Sequence, residues 1–167
     1  MHIEQLDEFF DYKNKLMEDL LTSKSVVELI DEKLTTNQAR SLAYTQVFPL
    51  EYIPETVEEG KTLICFDVDI QESVNKTYLL PTLYVWVFTH KSKFRLPEGG
   101  IRTDKLCSAI AGVINGSREY GLGELNLFSV KRYAPMTDFH GKVMVFHAKD
   151  FNRLAAPKPI PSNRKKG

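Results

Sequence analysis

Residues 78–90, YLLPTLYVWVFTH, are the most apolar run in the chain, and their apolar side chains alternate between two sets. Successive side chains of a β-strand point to opposite faces of the sheet, so both faces of this strand are expected to be buried. Either the arm at residues 45–55 or another subunit must cover the second face. One set is Leu83, Val85 and Val87, and the other is Tyr84, Trp86 and Phe88.

The preceding run, residues 62–71, alternates apolar and polar side chains and predicts a strand with one buried face. The apolar set is Ile64, Phe66, Val68 and Ile70, and the opposite set is Cys65, Asp67 and Asp69. Two carboxylates two positions apart can begin a metal site, but no His or third acid follows at a ligand spacing. A strand that faces solvent therefore explains both aspartates without a metal.

Two more strands are predicted near the end of the chain. Residues 125–130 and 142–149 both alternate, and they are expected to pair as a hairpin with a long tip, Ala134 to His140. Neither His90 nor His140 has a serine, cysteine or carboxylate at the spacing of a catalytic motif. His147 is alone in its strand and is interpreted as structural.

Three helices are predicted from apolar residues at three- and four-residue intervals. The first spans residues 3–21. The second begins at Ser25, because the stretch from Ser25 to Glu28 has the pattern of a capping box. The third follows Thr103, which is a favourable N-cap, and ends near Asn115.

Between the second helix and the first strand, residues 35–60 lack regular periodicity and contain Pro49, Pro54 and Gly60. This composition predicts an extended arm or loop. Connections of this length inside a small domain are often functional or are ordered by a partner.

The loop FRLPEGGIRTDK, residues 94–105, raises the question of phosphate binding, because Gly99 and Gly100 lie just before a helix N-terminus. A P-loop needs a Gly-Lys-Ser/Thr sequence that leads into the helix. Here Arg102 precedes Thr103, and the required sequence is missing from the loop. A strand, a glycine-containing turn and a capped helix account for the whole stretch.

The order helix, helix, strand, strand, helix, strand, strand predicts an α+β fold, with an antiparallel four-stranded sheet and the helices packed on one of its faces. The chain has 167 residues, which is the size of one domain. Residues 1–154 are assigned to a single α+β domain, within which 35–60 is the arm. Residues 155–167 form a proline-rich basic tail that is expected to be extended.

The charges are unevenly distributed, although the formal net charge is +0. Residues 1–60 carry 13 acidic and 5 basic side chains, whereas residues 61–167 carry 9 and 17. This asymmetry either orients the protein against a charged partner or another copy, or reflects a solvated acidic helix pair beside a basic sheet. No signal peptide or membrane-spanning segment is expected, and Cys65 and Cys107 are expected to be buried free thiols in a reducing cytosol.

Several stretches between residues 63 and 153 carry a resemblance to a known class of protein. They are ICFDVDI, NKTYLLPTLYVWVFTHKS, LPEGGIRTDK, NGSREYGLGEL and AKDFNR. In these stretches the chain resembles small proteins encoded in the head-to-tail joining region of prophages of Gram-positive bacteria. The order of its elements is similar to that of the tail-terminator proteins of long-tailed phages.

This resemblance implies a structural virion protein, without enzymatic activity or a cofactor. It implies a homo-oligomer, a hexameric ring that caps the tail tube, ends its polymerisation and joins the tail to the head connector. The implied partners are the tail tube protein, the connector or adaptor proteins of the head, and double-stranded DNA that passes through the pore, with no membrane. The implied location is the neck of the virion, after assembly in the host cytoplasm.

The residues expected at subunit or partner contacts have large or charged side chains on the doubly apolar strand, the arm, the hairpin and the glycine loop. They are Phe48, Tyr52, Tyr84, Trp86, Phe88, Arg102, Tyr133, Phe139 and His140. The basic tail residues Arg164, Lys165 and Lys166 are expected to lie close to DNA.

Two alternative functions remain open from the sequence. One is another protein of the same joining region, such as a neck adaptor or a head-completion protein. The other is a phosphate-handling enzyme, such as a nuclease or hydrolase, for which Asp67, Asp69 and His147 are the starting residues. An enzyme would need these groups to converge in a pocket.

Overall fold

The computed structural model of the chain describes residues 3–55 and 60–152. The helices are α1 (Ile3–Thr22), α2 (Lys24–Ile30) and α3 (Arg102–Ile114), together with the 3₁₀ helices Thr36–Leu42 and Lys91–Lys93. The strands are β1 (Val47–Phe48), β2 (Thr62–Glu72), β3 (Tyr78–His90), β4 (Asn126–Met136), β5 (Phe139–His147) and β6 (Asp150–Phe151). The predicted basic tail, including Arg164, Lys165 and Lys166, lies outside the described residues.

The six strands form one mostly antiparallel sheet in the order β1-β2-β3-β5-β4, and β6 pairs with β3 beyond the end of β5. The expectation of four strands is therefore corrected to six. The four predicted strands correspond to β2, β3, β4 and β5, and the two additional strands are each only two residues long. Such short strands leave no periodic pattern from which they could be predicted.

Strand β3 is the centre of the sheet, as its apolar sequence predicts. It pairs with β2 on one side, with Ile64 opposite Val87, and with β5 on the other, with Met144 opposite Val85. Pro81 lies within β3 at the gap between the residues that pair with β5 and those that pair with β6. A proline is tolerated where the strand does not need to donate a ladder hydrogen bond.

The main hydrophobic core lies between the helices and one face of the sheet. Burial of this face is what the alternation in β2 and β3 predicts. The sheet contributes Ile64, Phe66, Leu83, Val85, Met144 and Phe146. The helices contribute Phe9, Leu16, Leu20, Val26, Leu106, Ile110 and Ile114. Full burial of one such side chain stabilises the fold by about 1.5–3 kcal/mol.

Two of the predicted helix starts are wrong by one or two residues. Helix α2 follows Ser23, and Ser25 lies inside the helix, where Glu28 forms an ion pair with Lys24 instead of a capping box. Helix α3 follows Ile101, and Thr103 is buried in its first turn. Neither start depends on a side-chain cap.

The predicted arm contains regular structure that its sequence does not indicate. Thr36–Leu42 forms a 3₁₀ helix, at whose start the Gln38 Oε1 accepts a hydrogen bond from the backbone N–H of Thr35 at 3.3 Å. Residues Val47–Phe48 then pair in parallel with Ile64 and Cys65. Residues 49–55 carry the extended part of the arm.

The hairpin of β4 and β5 forms as predicted, but its tip is short. Strand β4 continues to Met136 and β5 begins at Phe139, so the tip consists of residues 137–138. Pro135 suggests a longer loop, yet β4 is an edge strand, where proline does not interrupt a ladder on the open side. No helix in the described part of the chain has the length and apolar character that crossing a membrane requires.

Candidate interaction surface

The sheet face opposite the helices, here called the open face, has a small core of its own at one end. Its buried members are Leu63, Cys65, Phe88 and Phe139. Phe48, Trp86, Tyr133 and Met136 pack against them. The apolar second face of β3 is therefore partly covered by the chain itself.

The cover is Phe48 of β1 together with the extended part of the arm, residues 49–55. The rings of Phe48 and Tyr52 stack with centroids 4.3 Å apart, and the Cys65 Sγ donates to the Tyr52 carbonyl at 3.5 Å. On the same face, at the β4 edge of the sheet, the Tyr133 hydroxyl donates to Glu51 Oε1 at 3.2 Å. Burial raises the pKa of the Cys65 thiol to about 11 and, with the nearby Glu51 charge, that of Tyr133 to about 12.

Gly141 allows this small core to close. It lies opposite Phe88 on β3 and opposite Tyr133 on β4. A Cβ at this position would come within 1.7 Å of the Val87 carbonyl oxygen, so β5 approaches β3 more closely than any side chain would allow. The rings of Phe88 and Tyr133 meet edge to face, with centroids 5.7 Å apart.

The described residues of the arm do not contact the rest of the open face, which carries an apolar surface, here called the aromatic patch. It consists of Tyr84, Trp86, Phe128, Val143, Val145 and His147. The rings of Tyr84 and Trp86 stack at 5.7 Å, and each ring faces a valine of β5 across the ladder. Both aromatic side chains and both valines are half-buried.

Phe128 forms the outer edge of the aromatic patch. It lies at a bulge between Leu127 and Ser129, and its ring stacks on His147 at 4.1 Å. Its side chain is 67% exposed. Exposed apolar surface of this kind, at the border of a half-buried aromatic group, is typical of a site that contacts another protein.

The structure brings seven of the nine predicted contact residues onto the open face. They are Phe48, Tyr52, Tyr84, Trp86, Phe88, Tyr133 and Phe139. Phe88 and Phe139 are 0% exposed and pack within the small core, so the expectation that they contact a partner is corrected. His140 lies on the helix side of the sheet, beside Phe94.

Four members of the aromatic patch were missed by reading the sequence. Val143 and Val145 fit a buried strand equally well, and His147 is the structural residue that its isolated position suggests, since it supports the Phe128 ring. The exposure of Phe128 follows from the bulge and from the place of β4 at the sheet edge. Only the departure from strict alternation around residue 128 signals it in the sequence.

Arg102 is also corrected, because it holds the glycine loop from within the protein. The side chain is 3% exposed. Its Nε donates to the Lys93 carbonyl at 2.9 Å, Nη1 to the Leu29 carbonyl at 2.8 Å, and Nη2 to Glu32 Oε1 at 2.7 Å. The hydrogen bond from Arg102 lowers the pKa of the Glu32 carboxyl.

The glycine loop turns the chain into α3. Gly99 and Gly100 have φ angles of 96° and 93°, in the region that favours glycine. The Gly99 N–H donates to the Leu96 carbonyl at 2.9 Å, and the Arg102 N–H donates to the Phe94 carbonyl at 2.8 Å. The loop therefore uses these amides and the Arg102 guanidinium in its own structure.

Of the residues considered for an enzyme, Asp67 and His147 each make other contacts in the structure. Asp67 forms an ion pair with Lys13 at 3.2 Å, and its Oδ1 accepts from the Val68 N–H at 2.9 Å. His147 is occupied by the Phe128 ring. Within residues 3–55 and 60–152, no three His, Cys, Asp or Glu side chains are grouped so that they could hold a metal ion.

Comparison with known proteins identifies a family. No curated protein matches the chain. The family model YomW matches residues 9–148, which is well over half of the chain and includes α2, α3 and strands β1–β5. This is a phage- and prophage-type protein family. The chain therefore belongs to the YomW family and is a phage-associated protein.

Proposed function

We propose that the chain is a structural virion protein, a tail terminator that forms a ring on the end of the tail tube. The ring ends tube polymerisation and joins the tail to the head connector, and DNA passes through its centre. The aromatic patch is the observation that carries this proposal. It supplies an apolar surface that a single copy leaves in contact with water. This surface lies next to the outer edge of β4, which pairs with β5 on its other side.

The size of the exposed apolar surface supports an assembled state. Leu127, Phe128 and Val130 on β4 are 39%, 67% and 45% exposed. Leu127 and Val130 lie on the helix side, opposite Phe146 and Met144, and Phe128 lies on the open face. Exposed apolar side chains of this kind favour contact with another protein, and burial against a partner would remove them from water.

The charges favour sliding of DNA through a pore over tight binding. Each phosphate contact by a lysine or arginine adds affinity that depends on salt, and many such contacts would slow the passage of the duplex. The formal net charge of the chain is +0. The basic half of the sequence is balanced by the acidic half, so a ring of copies presents mixed charges.

Deletion of the gene from the phage or prophage that carries it tests the proposed function. Imaging of the particles is expected to show tails that are longer than normal and of variable length. Tails of normal length that fail to join filled heads would instead support the neck adaptor or head-completion function. Normal, infectious particles would contradict both functions.

Phe128→Asp tests the role of the aromatic patch without a change in the core. Because the side chain is 67% exposed, we expect the variant to fold, to fail to complement the deletion, and to disturb tail length when it is produced together with wild type. Val74→Asp is the matched control, because Val74 is also exposed but lies in the turn between β2 and β3. Full complementation by Phe128→Asp would refute the role of the patch.

A further inference from the structure

The outer surface of α1 carries an exposed phenyl ring between two acids. Phe10 is 48% exposed, and Asp7 and Asp11 are exposed beside it. Asp7 is three residues from Phe10 and four from Asp11, so its side chain is a neighbour of both on the helix, and the three form one surface group, here called the α1 knob. Neither aspartate has an ion-pair partner within the described part of the chain.

A cavity on another part of the protein has the complementary character. It has a volume of about 700 Å³ and lies between the N-terminus of α3 and the ends of β4 and β5. Its apolar lining includes Phe94 and Ile101, and the Ile101 side chain is 46% exposed. A cavity of this volume is large enough to receive an aromatic side chain, and the exposed isoleucine offers an apolar contact for the ring.

Basic side chains surround the same cavity. Arg132 is exposed and makes no ion pair with any described residue. Lys142 is 3.9 Å from Asp104, which is the one acid in the lining, and His140 stands edge to face with Phe94 at 5.6 Å. Arg132 is therefore a cation at the rim without an ion-pair partner among residues 3–55 and 60–152.

We propose that the α1 knob of one copy inserts into this cavity of the next copy, with Phe10 against Phe94 and Ile101, and with Asp11 beside Arg132. This inference rests on the proposed ring and identifies the joint between its subunits. The two surfaces differ, so the contact is head to tail, which is the type that closes rings. The opposite signs of the two surfaces match the acidic first part and the basic remainder of the chain.

The contact has to join two copies, because the two surfaces lie apart within one chain. Helix α1 packs against α2, α3 and the 3₁₀ helix Thr36–Leu42. The described lining of the cavity comes from residues 94–104 and 132–142, and no described side chain of α1 is part of it. A partner other than a second copy would have to supply the same acidic and aromatic group.

A charge exchange on the full-length chain tests the joint. Asp11→Arg alone and Arg132→Asp alone each place like charges together, and we expect the dissociation constant of self-association to rise at least about tenfold in each variant. When the two variants are mixed, each joint between different variants is either wild type or exchanged, whereas joints between identical variants still repel. We expect the mixture to recover assembly and its closed rings to contain an even number of subunits.

Native mass spectrometry and sedimentation at several protein concentrations measure these complexes. Glu28→Lys is the control, because Glu28 is exposed on α2, belongs to neither surface, and its replacement changes the net charge by the same amount as Asp11→Arg. Unchanged association of both single variants would overturn the joint, as would a mixture no better than its components. A wild-type chain that remains monomeric at millimolar concentration would also overturn it.

The outcomes separate this inference from the proposed function. If the deletion strain has longer tails and the charge variants assemble normally, the terminator function is supported and the subunit joint lies elsewhere. If charge exchange restores assembly and the deletion strain has normal tails, the joint is supported and the terminator function is refuted. Phe10→Ala is expected to weaken association without a change of charge, which separates apolar insertion from electrostatic attraction.

Discussion

Replacement of Arg102 with methionine tests how the glycine loop is held. Methionine retains an unbranched apolar side chain but removes all three hydrogen bonds of the guanidinium. Two of these hydrogen bonds end on the backbone carbonyls of Leu29 and Lys93, and the third ends on Glu32. The substitution therefore disconnects the end of α2 from the loop that leads into α3.

The expected loss of stability follows from what each acceptor loses. A partly buried carbonyl that is left without a donor costs about 1–3 kcal/mol. The ion pair adds about 0–1 kcal/mol, because the Glu32 side chain is 47% exposed and screened by solvent. Release from the cost of burying a cation offsets part of the sum, so we expect Arg102→Met to lower the free energy of unfolding by about 3 kcal/mol.

Urea unfolding and thermal melting measure the effect. A loss of this size in a domain of this length corresponds to roughly 6–12 °C in the melting temperature. Glu32→Gln is the control, because its amide oxygen can still accept from Arg102 while the charge is lost, and we expect a change below about 1 kcal/mol. A loss below 1 kcal/mol in Arg102→Met, or equal losses in the two variants, would refute this account of the loop.

The same pair of residues predicts a pH dependence. The hydrogen bond from Arg102 lowers the pKa of Glu32 in the folded protein below its ordinary value of 4.5. A lowered folded pKa stabilises the protein above pH 4.5, and this contribution disappears as the pH falls through the folded pKa. Arg102→Met is therefore expected to flatten this part of the stability profile in acid.

Three further predictions concern the core and the open face. Gly141→Ala is expected to destabilise the protein by several kcal/mol in urea unfolding, because its Cβ would meet the Val87 carbonyl at 1.7 Å, and a loss below 1 kcal/mol would contradict the close approach of β5 to β3. Tyr12→Phe is expected to raise the free energy of unfolding by about 1 kcal/mol, because the buried hydroxyl has no hydrogen-bond partner among the described residues, and a lower stability would disprove this. Burial raises the pKa of Cys65 and Cys107 to about 11, so both thiols are expected to react slowly with a thiol reagent at pH 8. If Cys107 reacts more slowly than Cys65, the arm over Cys65 is the region that opens first.

The sequence predicts the central strands well because their signal is local. Burial of β2 and β3 follows from side chains that alternate within each strand, and the hairpin of β4 and β5 follows from two such strands in succession. The tip of that hairpin is mispredicted because Pro135 suggests a break. Pro135 is tolerated because β4 is an edge strand, which only the assembled sheet reveals.

The contacts that determine the loops and the candidate surface join distant parts of the chain. Arg102 reaches Leu29 and Glu32, which lie far away in sequence, so its charge suggests a surface role that its burial contradicts. The arm meets the sheet at Cys65 and Tyr133, on two different strands. Periodicity cannot reveal such contacts, and it therefore cannot divide the open face into its covered and uncovered parts.

The two irregularities in β4 limit edge-to-edge pairing between free copies of the protein. One lies between Leu127 and Ser129 and the other between Tyr133 and Met136, so only a short central segment of the strand has a regular free edge. Lys131 and Arg132 occupy that segment, and like charges would face each other if two such edges met. Free copies of the protein are thereby protected from forming fibres, and they can accumulate at high concentration before they assemble.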